Sequence, residues 1–200
     1  MTIQAAGTFS GYGSTARLEC WEVIGADSAL TFSLRHLVVS EIAGHFRRWG
    51  ALLVLDLDDV SRSRLTGWVD LTSIDTGAPE RDDHIRSPEF FDVTRFPVAE
   101  FRSDRIIPIA DQRYLVRGQL VLHGVARPIE MTVTPGPRTE DGNSARAAYD
   151  VRATIDRQSF GLHWNQDLDA GGVVVGDRID VQARVQAIRV PNDPAKIFPG

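Results

Sequence analysis

The 200-residue sequence predicts an all-β, antiparallel domain of about eight strands. Three observations predict it. Segments of period-two alternation recur along the chain, bounded by Gly, Pro, Asn and Asp at a spacing typical of sandwiches and barrels. Helix punctuation is confined to one stretch, residues 73–93. The two clearest alternating segments hide small side chains on one face and display charge on the other.

Taken in order, residues 1–18 are rich in Gly, Ser, Thr and Ala without a period and read as a flexible arm. The domain occupies 19–190, and 191–200 is a Pro-containing tail. The strand segments are 19–24, 30–37, 44–57, 64–73, 98–106, 114–122, 129–134, 146–155 and 178–188, the bent ones open to division. On the second, Leu30, Phe32, Leu34 and His36 share a face, so His36 continues an apolar stripe while Arg35 points the other way.

A helix is predicted near 79–87. Gly77 breaks the incoming strand, and Pro79 supplies the φ of a first helical position. Glu80, Asp82 and Asp83 complement the dipole at the start and Arg86 at the end. Asp82 and Arg86 also stand four apart in the favourable order. Pro88 restricts Ser87 and stops the helix. Two turns do not persist alone in water, so Ile85, Phe90, Phe91 and Phe96 must dock on the β structure as a plug or lid.

In the last two segments Ala147, Tyr149, Val151, Ala153 and Ile155 share one face, as do Ile179, Val181, Ala183, Val185 and Ala187. Ala148, Asp150, Arg152 and Thr154 lie opposite. The hidden face is short in volume, with Gly67 and Gly118 as further small members. Sandwich cores interdigitate larger side chains, whereas an eight-stranded barrel can hold one small ligand. The small residues therefore favour an internal cavity over the alternative that they seat nearby tryptophans.

The net charge of −5 argues against a nucleic-acid surface. The longest apolar run, residues 51–55, is far short of the ~18 residues of a membrane span. Cys20 is the sole cysteine, which excludes an internal disulfide and fits a reducing compartment. No basic cluster followed by an apolar core stands near Met1, so the expected location is cytoplasmic.

No catalytic or metal constellation stands out. The five histidines lack zinc-motif spacing. Asp82, Asp83 and His84 are adjacent on a helix and diverge. There is no G-x-S-x-G turn, and the glycine run 171–176 lacks the Lys and Ser/Thr of a phosphate loop.

Five stretches together resemble the YceI-like family of lipid-binding, lipocalin-like barrels: residues 31–46 (TFSLRHLVVSEIAGHF), 73–93 (SIDTGAPERDDHIRSPEFFDV), 118–131 (GQLVLHGVARPIEM), 155–165 (IDRQSFGLHWN) and 171–177 (GGVVVGD). Their order and spacing cover roughly 21–188. The resemblance implies an antiparallel eight-stranded lipocalin-like barrel, closed at one end by the short helix, around a channel for a polyisoprenoid or similar amphiphile. It implies no catalytic residues, and no enzyme activity, metal or cofactor is expected apart from such a bound lipid. Candidate channel residues are Phe32, Leu34, Phe46, Tyr149, Val151, Ala153, Val181, Ala183 and Val185. Candidates for the mouth and head group are His36, Trp49, Arg86, Phe90, Phe91 and Trp164. The partner is thus a long-chain lipid rather than nucleic acid, and the outer faces leave room for a homodimer. The competing expectations are an enzyme using His36 or His84 on an isoprenoid-like lipid, or a filled barrel acting as a stress or scaffold protein through its outer surface.

Overall fold

A computed structural model of the chain describes residues 17–36, 40–141, 144–164 and 175–191. Its strands are β1 (Leu18–Val23), β2 (Ala29–His36), β3 (Ser40–Phe46), β4 (Trp49–Asp56), β5 (Arg64–Asp70) and β6 (Ile74–Asp75). After the helix α1 (Pro79–Arg86) come β7 (Val98–Pro108), β8 (Tyr114–Leu122), β9 (Val125–Asp141), β10 (Ser144–Asp156) and β11 (Val175–Val190). All pairings are antiparallel, in the order β1-β4-β5-β7-β8-β9-β10-β11, and β11 returns to β1. β2 continues β1 along β11, and β3 continues β4 along β2. The result is a closed eight-stranded barrel.

Two strands bend midway, and polar groups hold each bend. Between β1 and β2, the Ile24 N–H donates to the Gln186 carbonyl (2.7 Å), while the Gln186 N–H donates to Ser28 Oγ (2.9 Å). Between β3 and β4, Arg47 pairs with Asp75 and Arg48 with Asp70 (2.8 Å), and the Arg48 N–H donates to Ser73 Oγ (3.0 Å). The single strand expected over 44–57 is therefore two, starting earlier and broken at these arginines.

Period-two burial follows the sequence pattern closely in β8, where Val116, Gly118, Leu120 and Leu122 point inward and Arg117, Gln119 and Val121 outward. β9 differs from expectation. It runs well beyond the predicted 129–134, and its pairing with β10 jumps from Ala147↔Arg138 to Tyr149↔Pro135. One extra residue on β9 is a bulge, and it falls on a Pro-Gly-Pro run that cannot sustain an even ladder. The bulge shifts the inward parity, so Arg138 rather than Pro137 follows Pro135 into the barrel wall.

The helix begins at Pro79, and Ala78 supplies no side-chain cap. Its acidic residues are used differently from expectation. Asp82 is buried and accepts from the Thr76 N–H (3.0 Å) and hydroxyl (2.5 Å), which ties the helix to the end of β6. Arg86 pairs with Asp83 (2.9 Å), not Asp82. Ile85, Phe90 and Phe91 pack over the core of Leu71, Ile74, Phe101 and Leu122. Phe96 stands apart, edge-on to His123 with ring centroids 4.9 Å apart.

A fully buried Arg157 secures the same end. Its guanidinium donates to the carbonyls of Leu162, Trp164, Val175 and Gly176 and to Asp177, at 2.5–3.1 Å. Burial holds its pKa below the usual arginine value, while Asp177 and Asp156 oppose that shift. Among the described residues no helix is long and apolar enough to cross a membrane.

Candidate functional site

The barrel encloses a cavity of about 490 Å³. This lies within the range of small-molecule pockets, about 300–1,000 Å³. The wall is almost wholly hydrocarbon because alternation sends every second residue of each strand inward. Ala147, Ala153, Ala183 and Ala187 face the void together with Gly67, whose nearest neighbour to a notional Cβ is 3.6 Å away. Gly118 behaves otherwise. A Cβ there would lie 2.2 Å from the Arg102 carbonyl oxygen and 2.6 Å from the Phe101 ring, so this glycine seats an aromatic instead of leaving space.

The candidate channel residues Phe32, Leu34, Phe46, Tyr149, Val151, Ala153, Val181, Ala183 and Val185 all line the cavity, as do Trp49, Phe90 and Phe91 from the candidate mouth. Arg86 and Trp164 are not in the lining. The Arg86 guanidinium donates to the carbonyls of Thr72 (3.0 Å) and Ile74 (2.7 Å), an engagement that fastens α1 to the barrel and corrects its expected place at a head group. Trp164 packs edge-on against His84, centroids 4.5 Å apart. His84 Nε2 lies 2.9 Å from Glu89 Oε2, away from the lining, so this candidate acid–base does not face the cavity. The backbone of His36 belongs to β2, but its side chain lies outside the described residues.

The mouth candidates Arg86, Phe90 and Phe91 stand at the helix end. There the lining is buried at Leu71, Ile74, Phe91 and Leu122 and partly buried at Ile85 and Phe90. Solvent instead reaches neighbouring lining residues at the opposite end, Pro135, Gly136 and Arg138, around the β9 bulge. The opening is therefore on the far side from α1.

Arg138, absent from the candidates drawn from the sequence, organises this opening. Its guanidinium lies 4.8 Å from the Trp21 ring centroid and donates to Glu19 (3.1 Å) and Glu140 (2.6 Å). Arg189 also donates to Glu19 (3.2 Å), as does the Trp21 indole (3.0 Å). Burial by itself would raise the Glu19 carboxyl, but these bonds outweigh it and hold the group below its ordinary value. The Pro-Gly-Pro run is the one sequence signal for this rim, because it marks where alternation changes phase.

A family model described as the YceI-like domain matches residues 21–187. The chain belongs to the YceI-like family. A UPF0312 protein of Staphylococcus aureus strain N315 is 29% identical over 167 residues, covering 81% of this YceI-like chain and 93% of the relative. Among solved structures, Burkholderia cenocepacia BcnA superposes with a TM-score of 0.69 at 22% identity, covering 82% of this chain and 98% of BcnA. A YceI protein of Campylobacter jejuni gives 0.66 at 18% identity over 94% and 96% of the two chains. A polyisoprenoid binding domain from Saccharophagus degradans gives 0.58 at 15% identity over 85% and 98%. These structural likenesses establish the barrel fold.

Proposed function

We propose that this YceI-like protein binds a polyisoprenoid or similar long-chain amphiphile inside the barrel, as a non-enzymatic carrier or store. The observation that carries the reading is the apolar cavity of about 490 Å³, with its alanine-lined wall. The Saccharophagus degradans neighbour, described as a polyisoprenoid binding domain, supports the same ligand class. Each buried CH₂ contributes about 0.8 kcal/mol, so a few isoprene units exceed about 10 kcal/mol before ordering costs. A hydrogen bond to a charged head contributes only about 1.5–3 kcal/mol. The tail sets affinity, and polar contacts select among ligands with equal tails. In this reading Phe32, Leu34, Phe46, Val151 and Val181 contact the tail.

The test is to fill the void. Ala183→Trp and Ala153→Trp each place an indole where the wall is now a methyl group. Both variants should fold, as judged by circular dichroism, and lose uptake of a long-chain prenol. Native mass spectrometry of the wild-type protein should detect a co-purifying or added lipid. A wild-type protein that refuses every such chain, or folded tryptophan variants that bind as well as wild type, would remove the internal channel.

A further inference from the structure

Among the described residues, two that line the cavity carry a side-chain oxygen, the tyrosines Tyr114 and Tyr149. The rest of the lining offers hydrocarbon, indoles, a thioether and Arg138. Tyr114 begins β8 and Tyr149 lies in the first half of β10, both toward the open end. β9 separates them: Val133 pairs with Tyr114, and Pro135, two residues on, pairs with Tyr149. Burial raises the pKa of the Tyr149 phenol, Arg138 opposes that shift, and Glu19 and Tyr114 add to it, so the two tyrosines share one electrostatic neighbourhood. Neither hydroxyl has a hydrogen-bond partner among the described residues.

Buried tyrosine hydroxyls are ordinarily bonded. Near the opening, water can serve these two while the cavity is unfilled. A chain that fills the cavity expels that water, and a purely hydrocarbon chain would strand both hydroxyls, a loss that weakens its binding. A ligand oxygen placed beside them removes that loss.

The charge balance at the rim decides what kind of oxygen. Among the described residues Arg138 is the sole charged one of the lining, and its guanidinium is already shared between Glu19 and Glu140. Arg189 reaches the same two carboxylates. Two cations thus face two anions, which leaves no uncompensated positive charge for a phosphate, and a phosphate would also lie beside Glu19. Burying an unpaired anion is far costlier than burying a hydroxyl or carbonyl.

We propose, resting on the carrier reading above, that Tyr114 and Tyr149 hold an uncharged ligand oxygen, a hydroxyl or carbonyl, at the head of the chain whose tail fills the cavity. The experiment compares four probes of one chain length, geranylgeraniol, its aldehyde, its monophosphate and the oxygen-free hydrocarbon, using quenching of the lining tryptophans Trp21 and Trp49. The alcohol and aldehyde should bind wild type about tenfold tighter than the hydrocarbon and tighter than the monophosphate. Tyr114→Phe/Tyr149→Phe should bring both down to the hydrocarbon's affinity, and each single phenylalanine variant should close part of the gap. Equal binding of alcohol and hydrocarbon by wild type, a gap that survives in the double variant, or tightest binding of the monophosphate would overturn the phenol anchor and leave the carrier reading standing. If folded wild type binds none of the four, both fall together.

Discussion

The guanidinium of Arg138 lies 4.8 Å from the centroid of the Trp21 ring, and the Trp21 indole donates to the same Glu19 that Arg138 pairs with. The aromatic wall and the charged rim are therefore one unit. Arg138→Ala removes a cation–π contact and two carboxylate bonds, and should lower stability by about 1–2 kcal/mol. Arg138→Lys should recover only part, because an ammonium cannot reproduce the planar fork. Urea unfolding followed by tryptophan emission measures both variants, and an unchanged midpoint in Arg138→Ala would count against a structured rim.

The Glu19 carboxyl predicts a pH dependence. Its bonds to Arg138, Trp21 and Arg189 hold its folded pKa below the ordinary value, about 4.3. The stabilisation is fully present above that ordinary value and disappears as pH falls through the lowered folded value. Unfolding free energies of wild type and Glu19→Gln should differ most near neutral pH and converge in acid. A difference constant with pH would assign the effect to packing.

Arg157 satisfies four backbone carbonyls and Asp177 from a fully buried position. Arg157→Met leaves those acceptors without their donor and should cost at least about 3 kcal/mol. Hydrogen exchange should rise first in residues 157–164 and the start of β11, which it joins. Uniform exchange across the barrel would contradict a local clamp.

Two glycines of the same barrel should respond oppositely. Gly118→Ala forces a Cβ to within 2.2 Å of the Arg102 carbonyl oxygen and 2.6 Å of the Phe101 ring, so it should cost about 1–3 kcal/mol or more. Gly67→Ala meets nothing nearer than 3.6 Å and should be tolerated within about 1 kcal/mol. Thermal melts of the pair compare the two positions directly, and equal losses would mean that the wall at Gly67 is as tightly occupied as at Gly118.

Much of the fold was legible because period-two alternation is a local property. The β8 bounds read from Tyr114 to Leu122 match the observed strand, and the inward alanines of β10 and β11 lie where alternation puts them. The break at Arg47 and Arg48 was not legible, because those side chains find Asp75 and Asp70, which lie more than twenty residues away. Asp82 reads as a solvated helix start, since nothing local shows that Thr76 will fold over it. Arg86 reads as a free cation near a mouth until the backbone carbonyls of Thr72 and Ile74 come within its reach.

Sequence alone determined the strand segments, the short Pro-initiated helix and the small side chains turned inward, since each follows from preferences acting over a few residues. Tertiary structure decided which end opens, which cations are already spent, and that two phenols share one wall. Those outcomes depend on ring closure, where Cys20 pairs with Val190 across nearly the whole chain. They depend also on one extra residue in β9, which turned Arg138 toward the cavity. Local periodicity carries no information about contacts at that separation.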